Sequence, residues 1–154
     1  MRILVLSDSH GDAASCRLAA QKHPEAEVII HLGDGEEDIN ISDGLWEGKN
    51  IFRVRGNSYR SDILGFPESL NLRLGGRKVY ISHGYRENVK FGIGGILKRA
   101  GETGAEIALY GHTHVPHKSY ENGIYIMNPG SIRQSSYGCA DITEAGIVLL
   151  LMKL

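Results

Sequence analysis

Short, nearly uninterrupted apolar runs separated by turn residues constrain this chain more than anything else in it. Ile3-Leu4-Val5-Leu6, Val28-Ile29-Ile30, Ile51-Phe52-Arg53-Val54, Val79-Tyr80-Ile81 and Ile107-Ala108-Leu109-Tyr110 have strand length and are too short for helices. In the first half they alternate with other elements. Strands are expected over 2–7, 27–32 and 50–55, a helix over about 12–22 with Asp12 as N-cap, and a short helix or loop over 35–44. Apolar strands in βαβαβ order belong to a sheet covered on both faces.

The second half changes character. Asn71-Leu72-Arg73-Leu74, Gly75-Gly76 and Lys78-Val79-Tyr80-Ile81 read as a hairpin, as does 117–127 around Asn122-Gly123. Residues 88–100 are expected to form one helix despite Gly92, Gly94 and Gly95. Ile147-Val148-Leu149-Leu150-Leu151 is expected as a final buried strand. This count fits two sheets face to face with helices outside, an α/β αββα sandwich, better than one open sheet. At 154 residues the expectation is a single domain over 1–154.

Bulk properties exclude several classes. Net charge is −1, so nothing attracts long nucleic acid or an acidic membrane by charge alone. No apolar stretch approaches the roughly 20 residues of a membrane helix, and the opening Met1-Arg2-Ile3-Leu4-Val5-Leu6 is too short for a signal core. The expectation is a cytoplasmic protein. Cys16 and Cys139 are far apart and unpaired by motif, so both read as free thiols.

Seven residues of metal-ligand type stand just past those five runs: Asp8 and His10, Asp34, Asn57, His83, and His112 with His114. Nearly all adjoin a glycine. Singly, each has an ordinary explanation: a capping Asp beside a surface His, a Gly-Asp or Gly-Asn turn, a histidine at a strand end. Together, each at a strand terminus, they describe one site at one edge of a sheet, where ligands bind in α/β folds.

The order Asp8-x-His10, Gly33-Asp34, Gly56-Asn57, His83, Gly111-His112-x-His114 resembles the calcineurin-like metallophosphoesterases, and the short chain is most similar to their small YfcE-type phosphodiesterase branch. The likeness extends from Asp8 to Asn128-Pro129-Gly130-Ser131. The resemblance implies a two-sheet αββα sandwich and a dinuclear centre. Asp8, His10 and His114 would hold the first metal, Asn57, His83 and His112 the second, with Asp34 bridging both. Asp34, Asn57 and His83 would be the catalytic set. Oxygen and imidazole ligands without thiolate suit Mn²⁺, Fe²⁺, Zn²⁺, Co²⁺ or Ni²⁺ rather than Mg²⁺ or Ca²⁺. Manganese is the choice by resemblance; ligand chemistry does not select it. Two divalent ions, two carboxylates and a bridging hydroxide leave about +1, which suits a phosphodiester anion attacked in line.

One departure bears on the substrate. Many members of the family place His after the Asn, near the leaving oxygen; here the run is Gly56-Asn57-Ser58-Tyr59. The expectation is therefore hydrolysis of small phosphodiesters, cyclic or other nucleotides among them, with good or strained leaving groups. Tyr59, Arg60, Tyr85, Arg86 and His117 are candidate substitutes. Asn57 and Arg86 are the candidate substrate contacts, although a solvated surface is the default for Arg86. His23 reads as a helix-end cap, His31 as a strand residue, and Asn128–Ser131 as a turn. Loops 35–48, 59–66 and 84–92 are expected to wall the pocket, and Tyr59, Phe66 and Phe91 are candidate base stackers. The competing readings are a non-catalytic protein-binding scaffold, as in a retromer subunit of this fold, and a nuclease. All seven ligand positions are filled, which disfavours the scaffold. Relatives are often dimers or larger, so a homo-oligomer is possible.

Overall fold

The computed structural model describes all of residues 1–154. Two five-stranded sheets pack face to face. The first contains β1 (Arg2–Leu6), β2 (Val28–His31), β3 (Asn50–Arg53), β9 (Ser136–Thr143) and β10 (Gly146–Lys153), in the order β10-β9-β1-β2-β3. The second contains β4 (Ser69–Leu74), β5 (Arg77–Ser82), β6 (Ile107–Leu109), β7 (His117–Glu121) and β8 (Ile124–Asn128), in the order β4-β5-β6-β8-β7. β1, β2 and β3 are mutually parallel, and so are β5, β6 and β8. The chain therefore leaves each triplet along a common edge, and every expected ligand follows one of these parallel strands.

Burial follows the strand periodicity. Ile3, Val5, Val28 and Ile30 meet Val79, Ile81, Ile107 and Leu109 between the sheets. Leu4, Leu6 and Ile29 point the other way, onto Cys16, Ala19 and Ala20 of α1 (Ala13–Lys22). Tyr80, Ala108 and Ile126 pack on Ile96 and Ala100 of α3 (Gly94–Thr103). Both faces of each sheet are thus covered, and the αββα sandwich is the architecture observed. Asp12 caps α1 through Ser15 N–H at 3.0 Å. The two hairpins turn where Gly75-Gly76 and Asn122-Gly123 all take positive φ, the requirement of a tight two-residue turn. Cys16 and Cys139 are free and buried. No helix is long and apolar enough to cross a membrane.

The 35–44 stretch is, as expected, a short helix and loop: a 3-10 turn, Glu36–Asp38, with a second following at Gly44–Trp46. Two local expectations need correction. The helix over 88–100 is broken: Val89–Phe91 is a single 3-10 turn, Gly92 at φ 131° interrupts it, and α3 starts at Gly94 and runs to Thr103. The final strand is an edge, not a buried strand; Leu149 is buried but Val148 is exposed. Two elements were not anticipated, β9 and α2 (Tyr59–Leu64), the latter capped by Ser58.

Candidate metal centre

The seven ligand-type residues come together where the parallel edges of the two sheets meet. His114 Nε2 lies 3.1 Å from Asp8 Oδ1, and His10 Nε2 lies 3.4 Å from His114 Nε2 and 4.0 Å from Asp8 Oδ1. Beside them, His83 Nε2 stands 2.9 Å from Asn57 Oδ1, 3.2 Å from His112 Nδ1 and 3.5 Å from Asp34 Oδ2. Ligand atoms of Asp8, Asp34 and His83 all fall within 4.8 Å of one another, as do those of Asp8, His10 and His114. The two groups share Asp8. Asp8, Asp34 and His83 are buried, whereas His10 and Asn57 reach solvent.

The backbone bends sharply to make this possible. Asp8, His10, Asp34, His112 and His114 all adopt positive φ, between 46° and 69°. That conformation costs a non-glycine residue roughly 1–2 kcal/mol, and such strain gathers at functional sites. The adjoining glycines permit close approach. A Cβ on Gly33 would stand 2.7 Å from Gly56 Cα and 2.8 Å from His83 Nδ1; one on Gly111 would strike Ser7 Oγ.

His83 Nδ1 lies 2.7 Å from the Leu32 carbonyl, which can only accept, so that nitrogen carries the proton. A neutral His83 then presents a bare Nε2 lone pair to the Asn57 and Asp34 oxygens. Asp8 Oδ1 is buried without any hydrogen-bond donor. Burial works to raise the Asp8 carboxyl, but the adjacent His114 imidazole and the Ser7 hydroxyl outweigh it and hold it below the usual range. The Asp8 carboxylate in turn raises His114. Burial pushes His112 down to about 4, with His83 acting in the same direction. Lone pairs facing lone pairs around a buried carboxylate are the arrangement a cation resolves. The oxygen and imidazole donor set fits divalent transition ions.

A supporting layer was not foreseen. Glu36 is fully buried; it accepts the Gly56 N–H at 2.6 Å, the Gly35 N–H at 3.1 Å and the Ser61 hydroxyl at 3.0 Å. His31 accepts the Gly33 N–H and sits 2.9 Å from Ser9 Oγ, tying the Asp8 loop to the Asp34 loop. Asn128 Nδ2 donates to the Gly111 carbonyl and Thr113 Oγ1, and Ser131 donates to the Asp8 carbonyl. The Asn128–Ser131 segment therefore props the ligand loops. In sequence, nothing distinguishes the Glu36-Glu37-Asp38 run from a solvated acidic turn.

The other candidates are dispersed. Ser58 is spent on capping α2, and its N–H donates to Asp34 Oδ1 at 2.9 Å. Tyr85 stacks edge-on to His112 at 5.4 Å. Arg86 is exposed and paired with Glu68 at 2.6 Å, Arg60 pairs with Glu37, and His117 in β7 meets the Tyr110 hydroxyl. His23 ends α1 and contacts the Tyr137 hydroxyl at 3.1 Å. Tyr59 and Phe91 are exposed, and the Arg53 guanidinium lies over Phe66.

The calcineurin-like phosphoesterase superfamily model matches residues 1–145. The chain belongs to this superfamily. It is 33% identical over 135 residues to the probable metallophosphoesterase YsnB of Bacillus subtilis (strain 168), covering 86% of this chain and 76% of YsnB. A predicted phosphoesterase from Streptococcus pneumoniae TIGR4 superposes with TM-score 0.80 and 32% identity, over 99% of this chain and 88% of that one. Two further solved structures share the fold at lower identity. An archaeal phosphodiesterase gives TM-score 0.75 at 21%, over 99% of this chain and all of that one. A Vps29 variant of Entamoeba histolytica gives 0.74 at 17%, over all of this chain and 99% of its own. As a metallophosphoesterase, the chain is a metal-dependent hydrolase by family.

Proposed function

We propose that this metallophosphoesterase hydrolyses small phosphodiesters at two divalent transition-metal ions, with Mn²⁺ ahead of Fe, Zn, Ni and Co. The observation that supports it is the set of facing lone pairs around Asp8 Oδ1 and His83 Nε2. Asp8, His10 and His114 would hold one ion and Asn57, His83 and His112 the other, with Asp34 between them. Two such ions make water a nucleophile near neutral pH and offset charge on the phosphoryl oxygens during in-line displacement.

The chain's own residues set the rest. The Leu32 carbonyl fixes the His83 tautomer, and the Ser58 N–H orients Asp34. Asn57 is exposed beside His83, where its amide can meet a phosphoryl oxygen. The Ser58 hydroxyl, turned to Ser61, is not aimed at a leaving oxygen. Substrates whose leaving group departs without protonation are therefore favoured. With Mn²⁺ supplied, bis(p-nitrophenyl) phosphate should turn over at least about tenfold faster than an alkyl phosphate monoester, a barrier difference of about 1.4 kcal/mol. A clear monoester preference would overturn the reading.

A further inference from the structure

A cavity of about 430 Å³ adjoins the centre, lined by Asn57 and His83 together with residues of β4, β5 and the last part of α3. Its volume is that of a small-molecule site. The expected wall loops contribute unevenly: 84–92 lines it, 59–66 supplies only Asp62, and 35–48 supplies nothing.

The lining chemistry is selective. Tyr80 and Tyr85 are its only hydrophobic side chains, so an acyl chain would find little apolar surface. Three arginines and four carboxylates line it, leaving one net negative charge. Each arginine is already engaged. Arg86 lies 2.6 Å from Glu68, Arg55 lies 2.6 Å from Asp62, and Arg99 lies 3.6 Å from Glu102. The remaining carboxylate, Glu87, accepts the Tyr80 hydroxyl at 2.7 Å. A second phosphate would have to compete with a carboxylate at each arginine and meet net repulsion from the lining. Asn71, on β4, has an amide with no intramolecular partner, which offers both a donor and an acceptor.

We propose that this cavity selects phosphodiesters whose second ester group is an uncharged polyol or sugar, such as glyceryl or ribosyl. Hydroxyls both donate and accept, so they can insert among arginine–carboxylate pairs without breaking them, and Asn71 supplies the specific contact. The inference rests on the phosphodiesterase reading of the adjoining centre.

The test is a series of p-nitrophenyl phosphodiesters sharing one leaving group, with propyl, glyceryl, ribosyl or phosphoglyceryl as the other ester group. The Mn²⁺-loaded protein should show a KM about tenfold lower for the glyceryl and ribosyl esters than for propyl, the effect of two added neutral hydrogen bonds. Asn71→Leu should erase most of that ratio and Asn71→Gln should restore part of it. Equal KM values across the series, or a ratio unmoved by Asn71→Leu, would overturn the cavity's role while leaving the phosphodiesterase reading intact. A preference for phosphoglyceryl would overturn it in favour of a second phosphate site. Should no ester turn over with any metal, the phosphodiesterase reading fails. Calorimetry with glycerol 3-phosphate and propyl phosphate then decides the cavity separately, equal affinities counting against it.

Discussion

The His83 ring donates its Nδ1 proton to the Leu32 carbonyl at 2.7 Å, so a residue following β2 in one sheet orients a candidate ligand following β5 in the other. The centre is consequently a property of the sandwich rather than of either sheet. His83→Ala removes the ligand and leaves that carbonyl without its partner. Metal-dependent turnover should fall more than about a hundredfold, beyond what disturbing an outer partner costs, while circular dichroism still reports a folded chain. Retention of full activity by a folded His83→Ala variant would contradict this role.

Glu36 should matter as much to the fold as to the centre. Its carboxylate accepts two backbone N–H groups and the Ser61 hydroxyl, entirely out of water. Glu36→Ala strands those donors, at a cost of about 1–3 kcal/mol for each one left unsatisfied. Urea denaturation should show a lower midpoint, and Mn²⁺ should bind more weakly because Gly35 and Gly56 flank Asp34 and Asn57. An unchanged midpoint would show that these bonds contribute nothing.

Gly56→Ala separates sterics from ligand chemistry. A Cβ there would overlap Asp34 Oδ1 and stand 2.6 Å from Asp34 Cγ, yet Gly56 has an ordinary φ and needs no glycine for its conformation. The substitution should displace the Asp34 carboxylate and weaken metal binding at least about tenfold. Titration of Mn²⁺ followed by calorimetry reads the change, and wild-type affinity would refute the proposed crowding.

Stability of the metal-free chain should depend on His31. Burial pushes this imidazole from 6.5 down to about 4. Between those values the unfolded chain binds the proton and the folded chain does not, so stability falls as pH drops from 6.5 to 4 and is fully present above 6.5. The loss attributable to His31 is on the order of 3 kcal/mol. Denaturation midpoints for wild type and His31→Asn across that range should converge at low pH. Parallel curves would contradict it.

The convergence of the seven ligand-type residues was legible because each follows an apolar strand, five of them directly beside a glycine, and parallel strands end on a common edge. The sandwich was legible for the same reason, together with the Gly75-Gly76 and Asn122-Gly123 turns. β9 was not, because Gly138 and Asp141 interrupt Ser136–Thr143 and no continuous apolar run announces it. Its burial comes from lying between β1 and β10, which is tertiary context. Glu36 escaped notice because nothing in an acidic triplet says which carboxylate turns inward. The cavity was misjudged because β4 and α3, which carry none of the seven ligand-type residues, add Ser69, Asn71, Arg99, Glu102 and Thr103 to its wall.

We propose that these seven residues together hold two metal ions. Purified protein equilibrated with Mn²⁺ and freed of excess should contain about two ions per chain by inductively coupled plasma mass spectrometry, and Asp34→Ala should retain fewer than one. Loss of the ions together with diester turnover in Asp34→Ala would support this assignment. A folded wild-type chain that binds no transition metal, or hydrolyses diesters equally well without it, would contradict it.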